Sequence, residues 1–267
     1  MTIDARLYQI SCLATFLLLG WLARDWTLQW ELLATLLAVC LGAQGLWLWW
    51  RNLPRTIDQF YSPTITALGL SLLLRADQPW MMAVAGMAAI GSKFLLRWQG
   101  KHLFNPANVG IVAALLLTNG AWISPGQWGA SWWLVGLFLG AGTLVLKQVG
   151  HWETTATFLG SYALLEAARN VYLGWTWDAW SHRLMSGSLL LFALFMISDP
   201  KTTPNHPIGR ILWALLVAVI TFVLRNVYFV NTAMIWALFG SSLVVPLFDA
   251  VFAADRFVWK RYAVESL

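Results

Sequence analysis

The sequence predicts an all-α polytopic membrane protein of about ten transmembrane helices. Three observations carry that prediction. Apolar residues make up 59% of the chain and charged residues 11%, where soluble domains carry roughly a quarter charged. The 19 Trp residues sit mostly near the ends of apolar runs, where amphipathic rings suit a membrane interface. The apolar runs themselves divide into ten segments near the roughly 20 residues that a helix needs to cross a bilayer.

The first segment, about 7–24, follows acidic Asp4. It lacks the basic start and small-residue cleavage site of a secretory signal, so it is expected to remain as a helix. The second, about 30–50, shares with the first a buried-type cysteine. Cys12 and Cys40 lie inside apolar runs with no CxxC spacing, which reads as small buried side chains and excludes an iron–sulfur or zinc site. The third, about 62–75, is short. The fourth, about 78–98, carries Lys93 near its end, as a snorkelling ammonium or as a site residue. The fifth, about 105–123, opens on Asn105-Pro106, a capping residue followed by a proline suited to the first turn. The sixth is about 130–150. The seventh, about 153–173, starts on Thr154-Thr155-Ala156-Thr157, hydroxyls placed to cap backbone donors. The eighth, about 180–198, closes on Asp199-Pro200, and the ninth and tenth are about 207–226 and 229–252. His102, His151, His182 and His206 fall in expected loops without i, i+4 pairing, so no helix offers a metal-binding histidine pair and no metal is expected.

An even number of crossings puts both termini on one side. Twelve Lys and Arg residues, from Arg6 to Arg261, then share the termini's side, and five (Arg24, Arg75, Arg169, Arg183, Arg225) lie opposite. By the positive-inside rule both termini are cytoplasmic, in the inner (plasma) membrane. The formal net charge of +5 is the ordinary bias toward an anionic inner leaflet. It implies the lipid bilayer as partner and no nucleic acid.

Residues 1–267 read as a single membrane domain with an internal repeat, about 7–123 and about 130–252. The landmarks Asp58/Asp178, Asp77/Asp199, Arg97/Arg225 and Asn105/Asn231 are separated by 120, 122, 128 and 126 residues. Each unit holds five spans, an odd number, so the second copy is expected to be inverted in the membrane. Asn105 and Asp199 then lie together on the cytoplasmic side. Asp77 and Asn231 form a second, pseudo-symmetric polar pair on the outer side, where an ordinary loop role is the favoured reading for both. Irregular polar backbone between apolar segments is tolerated in lipid only where it lines a buried site.

Lys93, the Phe104-Asn105-Pro106-Ala107 block, Phe195-Met196-x-x-Asp199-Pro200-x-Thr202-x-Pro204 with Gly209-Arg210, Leu224-Arg225 and Val245-Pro246-Leu247-Phe248-Asp249 resemble the RnfD/NqrB family. The resemblance covers roughly residues 58 to 252. It implies a ten-helix subunit of ion-pumping electron-transfer complexes, with a fold similar to urea transporters. It also implies flavin: FMN attached through phosphate to a Thr of a Ser-Gly-Ala-Thr motif after span five, and riboflavin in the NqrB branch. This chain departs from that pattern. Residues 118–133 contain no Ser-Gly-Ala-Thr, and Ala130 follows Gly126-x-x-Gly129 where the family carries a carboxylate. Thr154 to Thr157 lacks the glycine of the attachment motif. Covalent FMN is therefore not expected, and the lost carboxylate removes a natural cation ligand.

The resemblance makes Asn105, Asp199, Lys93, Pro106, Pro200 and Thr202 the candidate cofactor-binding residues. The expected cofactor is riboflavin or FMN held non-covalently, with Lys93 facing an electron-rich ring or quinone oxygen. The expected partners are redox subunits such as a flavoprotein, and a quinone. The alternative function is a cofactor-free small-solute transporter or channel of urea-transporter-like fold, using the same polar residues.

Overall fold

The structure is a computed structural model that describes residues 4–23, 29–123 and 132–259. Arg24, Gly126, Gly129, Ala130, Lys260 and Arg261, which enter the loop and charge arguments, lie outside the described residues. In chain order the elements are α1 (Ala5–Ala23), α2 (Trp30–Trp50), α3 (Asp58–Leu73), β1 (Leu74–Ala76), α4 (Pro79–Leu95), β2 (Arg97–Trp98), β3 (Lys101–His102), α5 (Pro106–Leu117) and β4 (Ala121–Ile123). They continue with α6 (Trp132–Val149), α7 (Trp152–Tyr172), α8 (Trp177–Leu184), α9 (Gly187–Leu191) running into a π-helical turn (Phe192–Met196), α10 (Pro207–Asn226), α11 (Ala233–Ser242) and α12 (Val245–Val251).

The chain is a helical, polytopic membrane protein. Among the described residues α1, α2, α6 and α10 are long and apolar enough to cross a bilayer, and α11 with α12, bent by 47° at their junction, add a fifth candidate. The other apolar runs depart from simple spans. α5 stops at Leu117, short of the expected 123, and its 12 residues reach only about 18 Å at 1.5 Å per residue. The chain beyond it is strand β4, paired antiparallel with β1 at the end of α3, in the register Leu74↔Ile123 and Ala76↔Ala121. Leu74 and Ala76 are buried. Extended backbone at that depth is tolerable because each strand satisfies the other's amides and carbonyls. The expected eighth span is also broken, into α8, α9 and the π turn.

Packing follows one scheme in both halves. α1 lies on α3, α2 on α3 and α4, and α4 on α5; α6 lies on α9 and the π turn, α7 on α8 and α10, and α10 on α11. Across the halves, α1 touches α6 and α5 touches α11. The α4–α5 contact is close enough to require glycine. A Cβ at Gly110 would sit 2.7 Å from the Ala85 carbonyl oxygen, whereas real Cβ contacts need more than 3 Å. At the α1–α6 crossing, the Phe16 ring meets Phe138 at 4.4 Å and Phe195 at 5.7 Å between centroids. Large apolar side chains such as Leu22, Leu46, Leu116 and Leu164 are exposed along the outside, as a lipid-facing surface requires, and Trp30, Trp49, Trp132 and Trp152 are exposed near helix ends.

Candidate functional site

The start of α5 is built by its sequence. The Asn105 side chain accepts a hydrogen bond from the Asn108 amide at 3.1 Å, and Pro106 occupies the first turn, where a missing N–H costs nothing. The remaining Asn105 amide group faces the break in the eighth run. Its Nδ2 donates to the Met196 carbonyl at 3.3 Å and to Asp199 Oδ2 at 3.2 Å. One side chain therefore caps α5 and ties it to the Asp-Pro turn.

That turn is shaped by three features. The π turn 192–196 closes with Ile197 N–H donating to the Phe192 carbonyl at 2.9 Å, a wide turn of the kind that recurs at functional sites. Asp199 Oδ1 accepts from the Lys201 amide at 3.0 Å. The Asp199 carbonyl accepts from the Thr202 and Thr203 amides at 3.1 and 3.2 Å, and from Thr202 Oγ1 at 3.3 Å. Thr202 thus shapes the turn and does not line the adjacent cavity.

Asn105, Pro106, Lys93, Asp199 and Pro200 line that cavity, which measures about 280 Å³, just below the roughly 300–1,000 Å³ of small-molecule sites. Its walls are apolar, including Leu13, Ile65, Leu72, Val145, Leu191 and Phe195, and its polar groups gather toward Arg6, Gln44, Asp58, Ser62, Arg97, His102 and Lys201. Lys93 is buried and donates to Gln44 Oε1 at 3.3 Å and Ser62 Oγ at 3.1 Å. Arg6 is held by Asp4 at 2.7 Å and by the Asp58 carbonyl at 2.8 Å. Gln44, a polar side chain inside the apolar run of α2, is the one of these neighbours that the sequence signals on its own. The others reach the cavity only through the fold.

Hydrogen-bonding capacity remains on these groups. An ionised carboxylate accepts about four hydrogen bonds and an ammonium donates three; the Asp199 carboxylate has two donors, the Asn105 side chain and the Lys201 amide, and Lys93 has two acceptors. His102 Nδ1 is buried without a partner. Burial together with the charges of Lys93, Arg97 and Lys201 pushes the His102 pKa down to about 3, so the ring is neutral. Burial likewise lowers the Lys201 ammonium below its usual value, against the attraction of Asp199. Spare acceptors and a spare donor at the end of an apolar-walled cavity suit a planar heterocycle whose edge alternates donors and acceptors.

The remaining motif residues hold this arrangement in place. Arg210 pairs with Glu153 at 2.5 Å and donates to the Asn205 carbonyl at 2.8 Å. His151 bridges it to the loop, with Nε2 at 3.2 Å from Arg210 and Nδ1 at 3.3 Å from Thr203 Oγ1. Burial and the adjacent Arg210 charge push the His151 pKa down to about 3, so it too is neutral. Asp249 accepts from the Asn205 amide at 2.7 Å and pairs with Lys101 at 2.7 Å.

The second polar pair is not assembled. Asp77 and Asn231 are both exposed, and among the described residues no hydrogen bond joins them; the Asp77 amide donates to the Gly120 carbonyl at 2.9 Å. A different polar cluster occupies the second half. Buried Glu166 accepts from Tyr162 Oη and Asn226 Nδ2 through Oε1, each at 2.8 Å, and from Arg183 Nη1 through Oε2 at 2.8 Å. Arg225 donates to Tyr162 Oη at 3.2 Å. Glu166 lies 122 residues beyond Gln44, within the range of offsets that relates the other landmarks. That spacing was the available signal for it, and it was obscured because Gln and Glu differ in charge.

Comparison with known proteins gives a consistent picture. A sequence model of the NQR2, RnfD, RnfE family matches residues 115–258. The RnfD subunit of the ion-translocating oxidoreductase complex of Aeromonas hydrophila is 28% identical over 315 aligned positions, covering 87% of this chain and 89% of that protein. The corresponding subunit from Stutzerimonas stutzeri is 30% identical over 284 positions, covering 80% of each. An alignment of 315 positions exceeds the 267 residues of this chain, so the Aeromonas protein carries segments absent here. By its matched residues, and by its similarity along most of its length to these subunits, the chain belongs to the NQR2, RnfD, RnfE family.

Proposed function

We propose that this chain is a membrane subunit of an ion-translocating oxidoreductase complex, and that the cavity under Asn105 and Asp199 binds a flavin non-covalently. The observation that carries the reading is the direct Asn105–Asp199 hydrogen bond, 3.2 Å long, joining two broken apolar runs over a cavity that Lys93 also lines. A bound flavin supplies one- and two-electron transfer. The chain's own contribution is position and charge. Asn105 and Asp199 hold the α5 start against the Asp-Pro turn, Asp199 and His102 offer acceptors, and the Lys93 ammonium favours added negative charge nearby. The walls, Leu13 and Phe195 among them, offer apolar surface to the ring. Electrons would pass between a partner flavoprotein subunit and a quinone or other acceptor, with ion coupling a property of the assembled complex.

The short loop between α5 and α6 and the longer relatives support non-covalent attachment. Protein purified from the membrane is expected to be yellow, with a flavin absorbance spectrum. Denaturation should release all of that flavin and leave no fluorescent band on a denaturing gel, even after co-expression with a flavin transferase. A colourless protein that still transports a small polar solute would favour the cofactor-free transporter instead. A fluorescent band lost in Thr157→Ala would place attachment at the start of α7.

The finer architecture belongs to the same proposal: ten membrane segments in two inverted five-segment repeats, both termini cytoplasmic, in the inner membrane. Its support is the shared packing scheme of the two halves and the separation of basic residues into two groups, Arg6, Lys93, Arg97 and Lys201 around the cavity and Arg183 and Arg225 around Glu166. Reporter fusions after Ala107 and after Pro204 should both read cytoplasmic, and one after Gly126 external. Opposite signals from the first two would remove the inverted arrangement.

A further inference from the structure

The apolar walls of the cavity belong to packed helices, but its polar end carries a cover of a different kind. Beyond α12 the chain runs through residues 252–259 without regular secondary structure, and Trp259 is itself one of the residues that line the cavity. Side chains fasten this segment along its length. Phe252 stacks on His206 with ring centroids 6.0 Å apart. The Arg256 guanidinium donates to the Gln99 carbonyl, at the turn between β2 and β3. The Phe257 ring meets His151 edge-on at 5.6 Å, and the Phe257 carbonyl accepts from Lys201 Nζ at 3.4 Å. The Arg6 guanidinium lies over the Trp259 ring, 5.3 Å from its centroid. Arg6 and Lys201 also line the polar end of the cavity, so the segment is tied down on the groups that surround that end. Among the described residues, residues 253–259 take part in no backbone–backbone hydrogen bond. Most of their amides and carbonyls must then be paired with water, which puts the segment at an aqueous face and not in lipid. A segment held by separate side-chain contacts, without a helix or strand ladder, belongs to the part of a protein that opens locally at little cost.

We propose that residues 252–259 are a strap that closes the polar end of the cavity and swings away to admit and release its ligand, with Trp259 as the removable piece of wall. The strap acts on access, so it rests on the cavity being a binding site and not on the ligand being a flavin. Its test uses a thiol reagent in place of a ligand, and its failure leaves the flavin reading untouched.

Ala107, in the first turn of α5, lines the cavity and can carry a reporter thiol. In detergent-purified protein with Cys12→Ala and Ala107→Cys, that thiol is expected to react slowly with the small anionic reagent 2-sulfonatoethyl methanethiosulfonate. Adding Phe257→Ala/Trp259→Ala removes both anchors and wall, and should raise the rate at least about tenfold, as for a site gated by local opening. Native Cys40, 0% exposed, stays unreactive while the helices remain packed and so reports on the fold of each variant. Arg256→Gln releases the Gln99 contact at an exposed residue and should give a smaller rise. That variant also removes a positive charge that would attract the reagent, so a faster reaction cannot be electrostatic. A reporter thiol that reacts as fast in the parent as in the double variant overturns the strap, and so do rates unchanged in both variants. If Cys40 reacts in the double variant, Arg256→Gln decides alone: a faster reporter with silent Cys40 supports the strap, and an unchanged one overturns it.

Discussion

Replacing Asn105 or Asp199 with Leu is expected to abolish flavin retention, weakening binding by at least about a hundredfold, while the protein still inserts and elutes as a single species. For Asn105 the loss has three parts. The α5 N-terminus loses its side-chain acceptor from the Asn108 amide, worth about 1 kcal/mol. Asp199 Oδ2 and the Met196 carbonyl lose their donor, and each buried group left without a partner costs about 1–3 kcal/mol. The tie between α5 and the Asp-Pro turn disappears with them, and the cavity wall with it. Asp199→Asn separates charge from shape: it preserves the side-chain volume and should retain more flavin than Asp199→Leu. Wild-type flavin content in purified Asn105→Leu would show that the ligand sits elsewhere.

The second large effect is on stability and lies away from that cavity. Glu166→Ala is expected to lower the midpoint of thermal unfolding in detergent more than any single change at an exposed residue. The Glu166 side chain is only 1% exposed and that of Arg183 26%. Removing one partner of a buried ion pair costs about 3–5 kcal/mol, because the other charge is stranded; the partial exposure of Arg183 puts the expected loss toward the lower end of that range. Asn226 and Tyr162 lose their acceptor at the same time. The double replacement Glu166→Leu/Arg183→Leu should recover much of the loss, since two apolar side chains leave no uncompensated charge. If the single and double variants unfold at the same temperature, the pair contributes nothing through its charge.

Much of this molecule was legible in its sequence. The ten apolar runs are set by local composition, and every one contains helix, because a chain in lipid must satisfy its backbone internally. Asn105-Pro106 read as a helix start and is one, since capping depends on three or four neighbouring residues. Asp199-Pro200 read as the end of a run and is a turn, for the same local reason. The family resemblance agrees with the matched region over the Asp199-Pro200 block, while the Asn105-Pro106 block precedes the matched residues 115–258.

Tertiary structure decided the rest. Hydropathy counts apolar residues without knowing whether they face lipid or protein, so it ran α5 on to residue 123, where the pairing of β4 with β1 supplies the hydrogen bonds that further helix would have made. Which polar residues meet was equally beyond reach. Arg6, Gln44, Ser62, Lys93, His102 and Asp199 share one cavity although they come from six separate stretches of chain, and nothing local correlates their positions. Asp77 and Asn231 were paired by the repeat yet stand exposed, whereas Glu166 and Arg183, unmarked by any motif, form a buried pair at 2.8 Å. A sequence determines where helix is favourable through interactions within a few residues. The placement of a charge in lipid is decided by desolvation, whose cost depends on which distant partners the packed helices bring within reach.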